Sequence, residues 1–421
     1  MALFGTVPRR AVNLPPGALG TLIGKSVKGQ VIDGPERDEF ATKFASWLGA
    51  PHVFGATNGR MAFQLALQAL DMEPGGEIIF PAFTFPVMPV VAKLLGFKPV
   101  FCDVDPTTYN SNAEHFEALI TDRTVAVLAS HIFGQPAPIE EIAELVGPKG
   151  IKLMEDCAHA CGVRVGGQSV GTFGDAGVFS FAEGKNMPCF GGGAITLTDD
   201  DAAARAARIL EGATVPDAKA VKQKARGIWL KWLFTRPWIF ATSVYPVLRL
   251  KLATGKPLLD AAQGDALITK FERTSTGLSP LVNLQAALGL KQLEHIEKFN
   301  AGARRNAEVL SKHIGEVPGV QIPSRVDDDH IYVYYPLTVD ADKRDDLRHW
   351  LLKRGVDTKT TDMADCAMLA PFVADNPEGR RGPKEASVLE ICVYPILSGR
   401  QMVKIGRAVR AWAGLPPIGG S

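Results

Sequence analysis

The chain has 421 residues, room for two domains or for one large α/β domain with an appendage. Hydrophobic content of 46%, charged content of 22% and a formal net charge of +1 fit a soluble globular protein with no overall pull toward nucleic acid. No run of apolar residues is long enough for an ordinary membrane-spanning helix, and the N-terminal MALFGTVPRRAVNLPPGALG lacks the apolar core of a signal peptide.

Residues 1–35 are rich in Pro, Gly and basic residues and are expected to form an arm on the surface. From Glu36 to Leu48 the apolar residues Phe40, Phe44 and Leu48 recur every fourth position, which predicts an amphipathic helix. GATNGRMAFQLALQAL at 55–70 reads as a strand end, a tight loop and a helix start. Free N–H groups at such a start form a natural phosphate site, and a plain helix cap is the alternative. EIIFPAFTFP at 77–86 is a buried strand running into a loop. Strand and helix patterns then alternate through 98–150, as in a doubly wound sheet.

The stretch Met154 to Thr198 carries the chemistry. Its short apolar runs, broken by glycine, read as buried strands of a mainly parallel sheet with polar groups at their ends. Asp156 ends one run, and Lys185 stands in the glycine-rich turn after the GVFSF run. A lysine amine condenses with an aldehyde, and a carboxylate keeps a pyridine nitrogen protonated. Pyridoxal phosphate makes those two demands. On these two residues alone, a turn cap and a solvated lysine are an equally good account.

The six cysteines are scattered, at 102, 157, 161, 189, 366 and 392. Cys157 and Cys161 flank His159, but no second cluster completes a tetrahedral set, so no metal is expected and the thiols read as reduced and mostly buried in a cytoplasmic protein.

EDCAHACG, GTFGDAGVFSF, GKN and GGGAI, in that order, resemble the DegT-type sugar aminotransferases (DegT/DnrJ/EryC/StrS), which are fold-type I pyridoxal-phosphate enzymes. Asn58-Gly59, PAFTF at 81–85, HIFG at 131–134, LQAALGLKQL at 284–293 and VYP at 393–395 extend the resemblance to nearly the whole chain outside 213–276. It implies an aspartate-aminotransferase-like large domain at 1–300, with a mostly parallel sheet, and a smaller C-terminal α/β domain at 301–421. It also implies a homodimer with pyridoxal 5'-phosphate. An amino acid, glutamate first, would give its amine to a keto sugar, a sugar nucleotide or a lipid-linked sugar. By resemblance Lys185, Asp156 and His159 are catalytic. Asn58, Gly59, Arg60, Phe85 and Ser180 join them in holding the cofactor, with Phe85 stacked on its ring. Ordinary core is the alternative for Phe85.

Three departures stand out. Arg60 replaces the usual threonine, His159 the usual glutamine, and Leu278 and Pro280 an Asn and Arg that relatives use near the partner's phosphate site. They leave open a dehydratase or lyase on the same scaffold, or a non-catalytic cofactor-binding regulator. Lys185 favours amino transfer, since relatives that dehydrate carry histidine there.

The insertion at 213–276 fits none of those motifs. Between Ala218 and Leu259 it holds nine Lys or Arg and no acid, with Trp229, Trp232, Trp238 and Tyr245 among bulky apolars. That composition suits a segment lying in an anionic membrane interface through about 219–256, which would place the protein on the inner face of the membrane. Pro237 and Pro246 predict a kinked helical hairpin rather than one helix. A pair of core helices covering the dimer is the alternative. At 330–339, His330 and Tyr332 are expected in a strand with structural roles.

Overall fold

The computed structural model describes residues 5–256, 258, 266, 268, 277–323, 329–376, 380, 382–384 and 387–418. Seven strands form the main sheet: β1 His52–Ala56, β2 Glu77–Pro81, β3 Lys98–Cys102, β4 Thr124–Ser130, β5 Lys152–Asp156, β6 Ala176–Ser180 and β7 Gly193–Leu197. Their order is β1-β7-β6-β5-β4-β2-β3. Only β7 runs antiparallel to its neighbours; the other pairings are parallel. The expected mostly parallel α/β fold is therefore present.

Alternation of side chains decides which helices cover which face. Ile78 and Phe80 join Leu128, Met154 and Val178 on one face, under Gly59–Ala69, Val87–Leu94 and Asp200–Glu211. Ile79, Val127, Ala129 and Leu153 point the other way, under Ile139–Val146. The predicted helix Glu36–Leu48 forms, with Phe40, Phe44 and Leu48 buried. Phe40 and Phe44 meet Phe181 edge-on, at 5.7 and 5.6 Å between ring centres.

A second sheet of β8 Val320–Gln321, β9 Tyr335–Val339, β10 Lys359–Thr360 and β11 Val388–Ile391 is antiparallel, in the order β8-β9-β11-β10. Helices Ile296–Ile314, Arg344–Lys353 and Gly399–Trp412 pack around it. His330 and Tyr332 precede β9 rather than lying in it. Tyr332 has φ 50°, which breaks the extended run, and its ring stacks on His330 at 3.6 Å.

The N-terminal arm lies on the surface only in its later part, where Leu19, Ile23 and Val27 are exposed. Thr6, Val7, Ala11 and Val12 are buried. The Val7 N–H donates to the Gly355 carbonyl at 2.8 Å, and the Asp357 N–H to that of Val7 at 2.9 Å. Arg9 grips the buried Asp357 through two nitrogens, at 2.7 and 2.9 Å. Val7 and Ala11 belong to the same core as β9 and β11. The basic, Pro-rich composition concealed this because the burial comes from backbone pairing and two small apolar residues.

The insertion is a broken helix through its described part. Ala218–Phe234 stops before Pro237, and a π-helical turn at Phe240–Val244 leads into Tyr245–Ala253. Pro237 and Pro246 each sit within the first two residues of a helical segment, where a missing N–H costs little. Tyr245 and Arg249 donate to the backbone carbonyls of Leu352 and Lys353, at 3.2 and 2.7 Å, which tethers the second helix to the C-terminal part. Apart from 258, 266 and 268, the insertion beyond 256 lies outside the described residues.

Candidate active site

The strand ends that carry chemistry lie on one edge of the main sheet. Ser130 pairs in register with Asp156, Asp156 with Val178, and Gly193 with both Ser180 and Ala56. The carboxyl ends of β1, β4, β5 and β6 therefore meet there, the usual place for a ligand in such sheets. A cavity of about 280 Å³ opens at this edge. Its walls include Asn58, Gly59, Arg60, Phe85, Asp156, His159, Ser180 and Lys185, so all eight residues picked from sequence come together.

One end of the cavity is a helix N-terminus. Asn58 caps Gly59–Ala69 by accepting the Met61 N–H at 3.1 Å. A methyl group on Gly59 would fall 2.8 Å from Ser180 Cβ, so only glycine lets this turn close on β6. The first turn, the Ser180 hydroxyl and Arg60 thus share one wall. Burial pushes the Arg60 pKa down without removing its charge. Arg60 and Asn58 also border a second cavity of about 430 Å³, closed on another side by Thr214–Asp217, Val221 and Lys224 of the insertion.

The other end holds the ionisable groups. Burial raises the pKa of Asp156, opposed by the Ala158 N–H at 3.0 Å and by Lys185. Burial lowers that of Lys185 to about 8, opposed by Asp156 and Asp362. An amine near that value holds a useful neutral fraction at neutral pH. His159 is kept neutral by burial and by the cations Lys185 and Lys359. Its Nδ1 accepts the Phe133 N–H at 3.2 Å, so its proton sits on Nε2. The ring lies parallel to Phe133, 6.0 Å away.

His131, from the HIFG segment, supports this wall. Its Nδ1 accepts the Ala137 N–H at 3.0 Å and its Nε2 donates to Glu155 at 3.3 Å. His131, Glu155 and Cys157 lie close enough to suggest a metal set. Glu155 is already engaged by the N–H groups of Gly171, Phe173 and Gly174, at 2.7, 2.8 and 3.1 Å, which marks it as a loop anchor. All six cysteines are free and buried.

Sequence reading missed the wall formed by Asp362 and Met363. Lys359 bonds Asp362 at 2.8 Å and Glu390 at 2.7 Å, and Arg10 approaches Asp362 at 3.9 Å. Burial favours the neutral acid at Asp362, yet Lys359 and Arg10 outweigh it and keep the carboxyl ionised. Tyr394, from the VYP motif, donates to the Gly184 carbonyl at 2.8 Å and so fixes the turn that carries Lys185. Leu278 and Pro280 stay close to their own chain. Thr57 and Leu281 donate to Ser279 and Gly55 at 3.1 and 2.9 Å, and Pro280 bridges Ala56.

The model of the DegT/DnrJ/EryC1/StrS aminotransferase family matches residues 22–231 and 269–399. A pleiotropic regulatory protein of Geobacillus stearothermophilus is 28% identical over 85% of this chain and 84% of its own length. The dTDP-3-amino-3,4,6-trideoxy-alpha-D-glucose transaminase of Streptomyces venezuelae is 28% identical over 91% of this chain and 89% of its own. Among solved structures, the aminotransferase TlmJ from Streptoalloteichus hindustanus superposes with a TM-score of 0.74 at 25% identity, covering 97% and 98% of the two chains.

Proposed function

The chain belongs to the DegT/DnrJ/EryC1/StrS aminotransferase family, and we propose that it moves an amino group from an amino acid, glutamate first, to a keto sugar carried on a nucleotide or a lipid. The observation that carries this reading is a lysine and a carboxylate, Lys185 and Asp156, facing one cavity whose far wall is a helix N-terminus. Those residues fit pyridoxal 5'-phosphate. The first turn of Gly59–Ala69, Ser180 and Arg60 would hold its phosphate, Asp156 its ring nitrogen, and Lys185 its aldehyde. When bound, the group supplies an electron-withdrawing ring beside the carbon that loses its proton. Lys185, with its depressed pKa, takes and returns that proton. His159, neutral with its hydrogen on Nε2, would offer a donor to an oxygen on the ring. Phe85, on the cavity wall, would pack against the ring and keep water off it. Retention of Lys185 favours amino transfer over dehydration, and the intact charge arrangement around it favours an enzyme over a regulator.

The proposal extends to a homodimer and to docking on the inner face of a membrane. Leu230, Phe234, Trp238, Val247 and Leu250 are exposed in the acid-free window, with Trp238 and Leu250 each 64% accessible. Lys219, Lys222, Lys224, Arg226 and Arg249 are exposed beside them. Trp229 and Trp232 are half-buried, Trp232 under the Arg236 guanidinium at 4.1 Å, so Trp238 is the aromatic anchor of this reading. Among the described residues no helix is long and apolar enough to cross a membrane.

The test is spectroscopic and preparative. Purified protein supplied with pyridoxal phosphate should gain a visible band that L-glutamate bleaches and that a keto-sugar nucleotide or lipid-linked keto sugar restores, with nitrogen in the product. A band that no amino donor bleaches contradicts amino transfer, and a nitrogen-free product supports a lyase.

A further inference from the structure

The cations around the reaction cavity divide into those already engaged and one that is not closed. Lys359 is 4% exposed and is held between two carboxylates, Asp362 at 2.8 Å and Glu390 at 2.7 Å. Arg60 lies at the opposite end, beside the helix N-terminus. Arg10 differs from both. Among the described residues its one ion pair is Asp362, at 3.9 Å, too long for a hydrogen bond. Its side chain is 33% exposed, as is 30% of Asp362 on the cavity wall. Tyr334 and then Asp362 keep the guanidinium firmly charged against the effect of burial.

The position of Arg10 is set by two independent contacts. The preceding residue, Arg9, is clamped on Asp357, so the arm cannot slide. The residue before Lys185 is a glycine, and a methyl group on Gly184 would fall 2.5 Å from Tyr334 Oη and 3.4 Å from the guanidinium carbon of Arg10. The guanidinium therefore stands directly against the turn that presents Lys185. In an α-amino acid the carboxylate carbon lies only about 2.5 Å from the amine nitrogen, by ordinary bond lengths and angles. A donor whose amine replaces that of Lys185 brings its carboxylate to this same side or to the phosphate end, and Arg60 and the helix terminus occupy the latter.

We propose that Arg10, delivered by the N-terminal arm, binds the carboxylate next to the transferable amine of the amino-acid donor. The planar guanidinium matches a carboxylate through two parallel hydrogen bonds, and a small rotation away from the loose contact with Asp362 makes both available. Lys359 holds Asp362 throughout, so no buried acid is left without a partner. This inference rests on the aminotransferase reading and names how its first substrate is recognised.

The experiment compares wild type, Arg10→Gln and Arg10→Lys, each loaded with pyridoxal phosphate. Single-turnover bleaching of the visible band is followed with L-glutamate and with 4-aminobutanoate, which keeps the amine and the distant carboxylate but lacks the near one. Binding of glutarate, which has no amine, is measured by calorimetry. Loss of a charge-assisted bidentate contact should lower kcat/KM for glutamate by about 30- to 150-fold in Arg10→Gln and weaken glutarate similarly. The reaction with 4-aminobutanoate should change less than about threefold, and Arg10→Lys should recover part of the loss. An equal fall for both amines would mean that Arg10 only shapes the site, and an unchanged glutamate reaction with unchanged glutarate binding would overturn the proposal. Wild type that no amino donor bleaches would instead sink the aminotransferase reading, and the glutarate measurement would still decide the role of Arg10.

Discussion

The reaction cavity and the insertion treat charge in opposite ways. At the cavity, Lys185 feels Asp156 and Asp362, and Lys359 touches Asp362 and Glu390. In the insertion nine bases stand in a window without an acid, and Lys231 reaches outside it to pair with Glu183 at 2.5 Å. Buried charge must be compensated inside the fold because desolvation is costly. Exposed like charge is tolerated in water and is satisfied best by an external anion. The same residue types are therefore compensated inside the fold in one region and left to the solvent in the other, as the proposed catalytic and docking roles require.

Four substitutions sharpen that contrast. The largest effect is expected at Asp156. Asp156→Asn should still take up pyridoxal phosphate, yet glutamate should bleach its band on the order of 100–1,000-fold more slowly, the scale of removing one electrostatic contact made in the transition state. Stopped-flow absorbance reads this, and a near-normal rate would mean that compensation at Asp156 is structural only. Next comes Arg60→Ala, which should weaken cofactor affinity by about 30- to 150-fold by fluorescence titration. An unchanged affinity would assign Arg60 to the second cavity that it also borders.

The insertion should respond to lipid rather than to cofactor. Intact protein should sediment with vesicles rich in anionic lipid, and salt should release part of it, since each base near such a surface gains about 1 kcal/mol. Trp238→Ser should leave cofactor binding intact and reduce the salt-resistant fraction. If the protein ignores vesicles of every composition, the acid-free window belongs to a lid or to the dimer.

The smallest effect concerns stability. Burial depresses the Lys185 pKa from 10.5 to about 8 in the folded chain. The folded state then binds this proton less well than the unfolded state, so the penalty is fully present below pH 8 and fades as pH rises from 8 to 10.5. Cofactor-free Lys185→Met should be more stable than cofactor-free wild type at pH 7, by roughly 1–2 kcal/mol once the lost attraction to Asp156 is allowed for. Urea unfolding at pH 7 and pH 10 checks both the sign and the convergence.

The cavity was largely legible in the sequence because its residues follow strand ends. Asp156 and Ser180 end β5 and β6, where apolar runs stop, and Lys185 stands in the turn that follows β6. Asp362 and Arg10 were not legible. Asp362 follows a two-residue strand with no apolar run to announce it, and Arg10 arrives on an arm that reads as surface. The break at Pro237 was visible, whereas the tether of Tyr245 and Arg249 to carbonyls at 352–353 depends on side chain to backbone bonds that no pattern encodes. The β-forming neighbours of Tyr332 predict a strand, but its φ is positive, and the next residue, Val333, donates its N–H to the Phe133 carbonyl at 3.0 Å, a contact distant in sequence.

The most direct test of the account is to locate the lysine that carries the cofactor. Protein loaded with pyridoxal phosphate is reduced with borohydride, digested and sequenced by mass spectrometry. One modified peptide, labelled at Lys185, is expected, and none from Lys185→Ala. Label at another lysine, or an adduct that persists in Lys185→Ala, would contradict it.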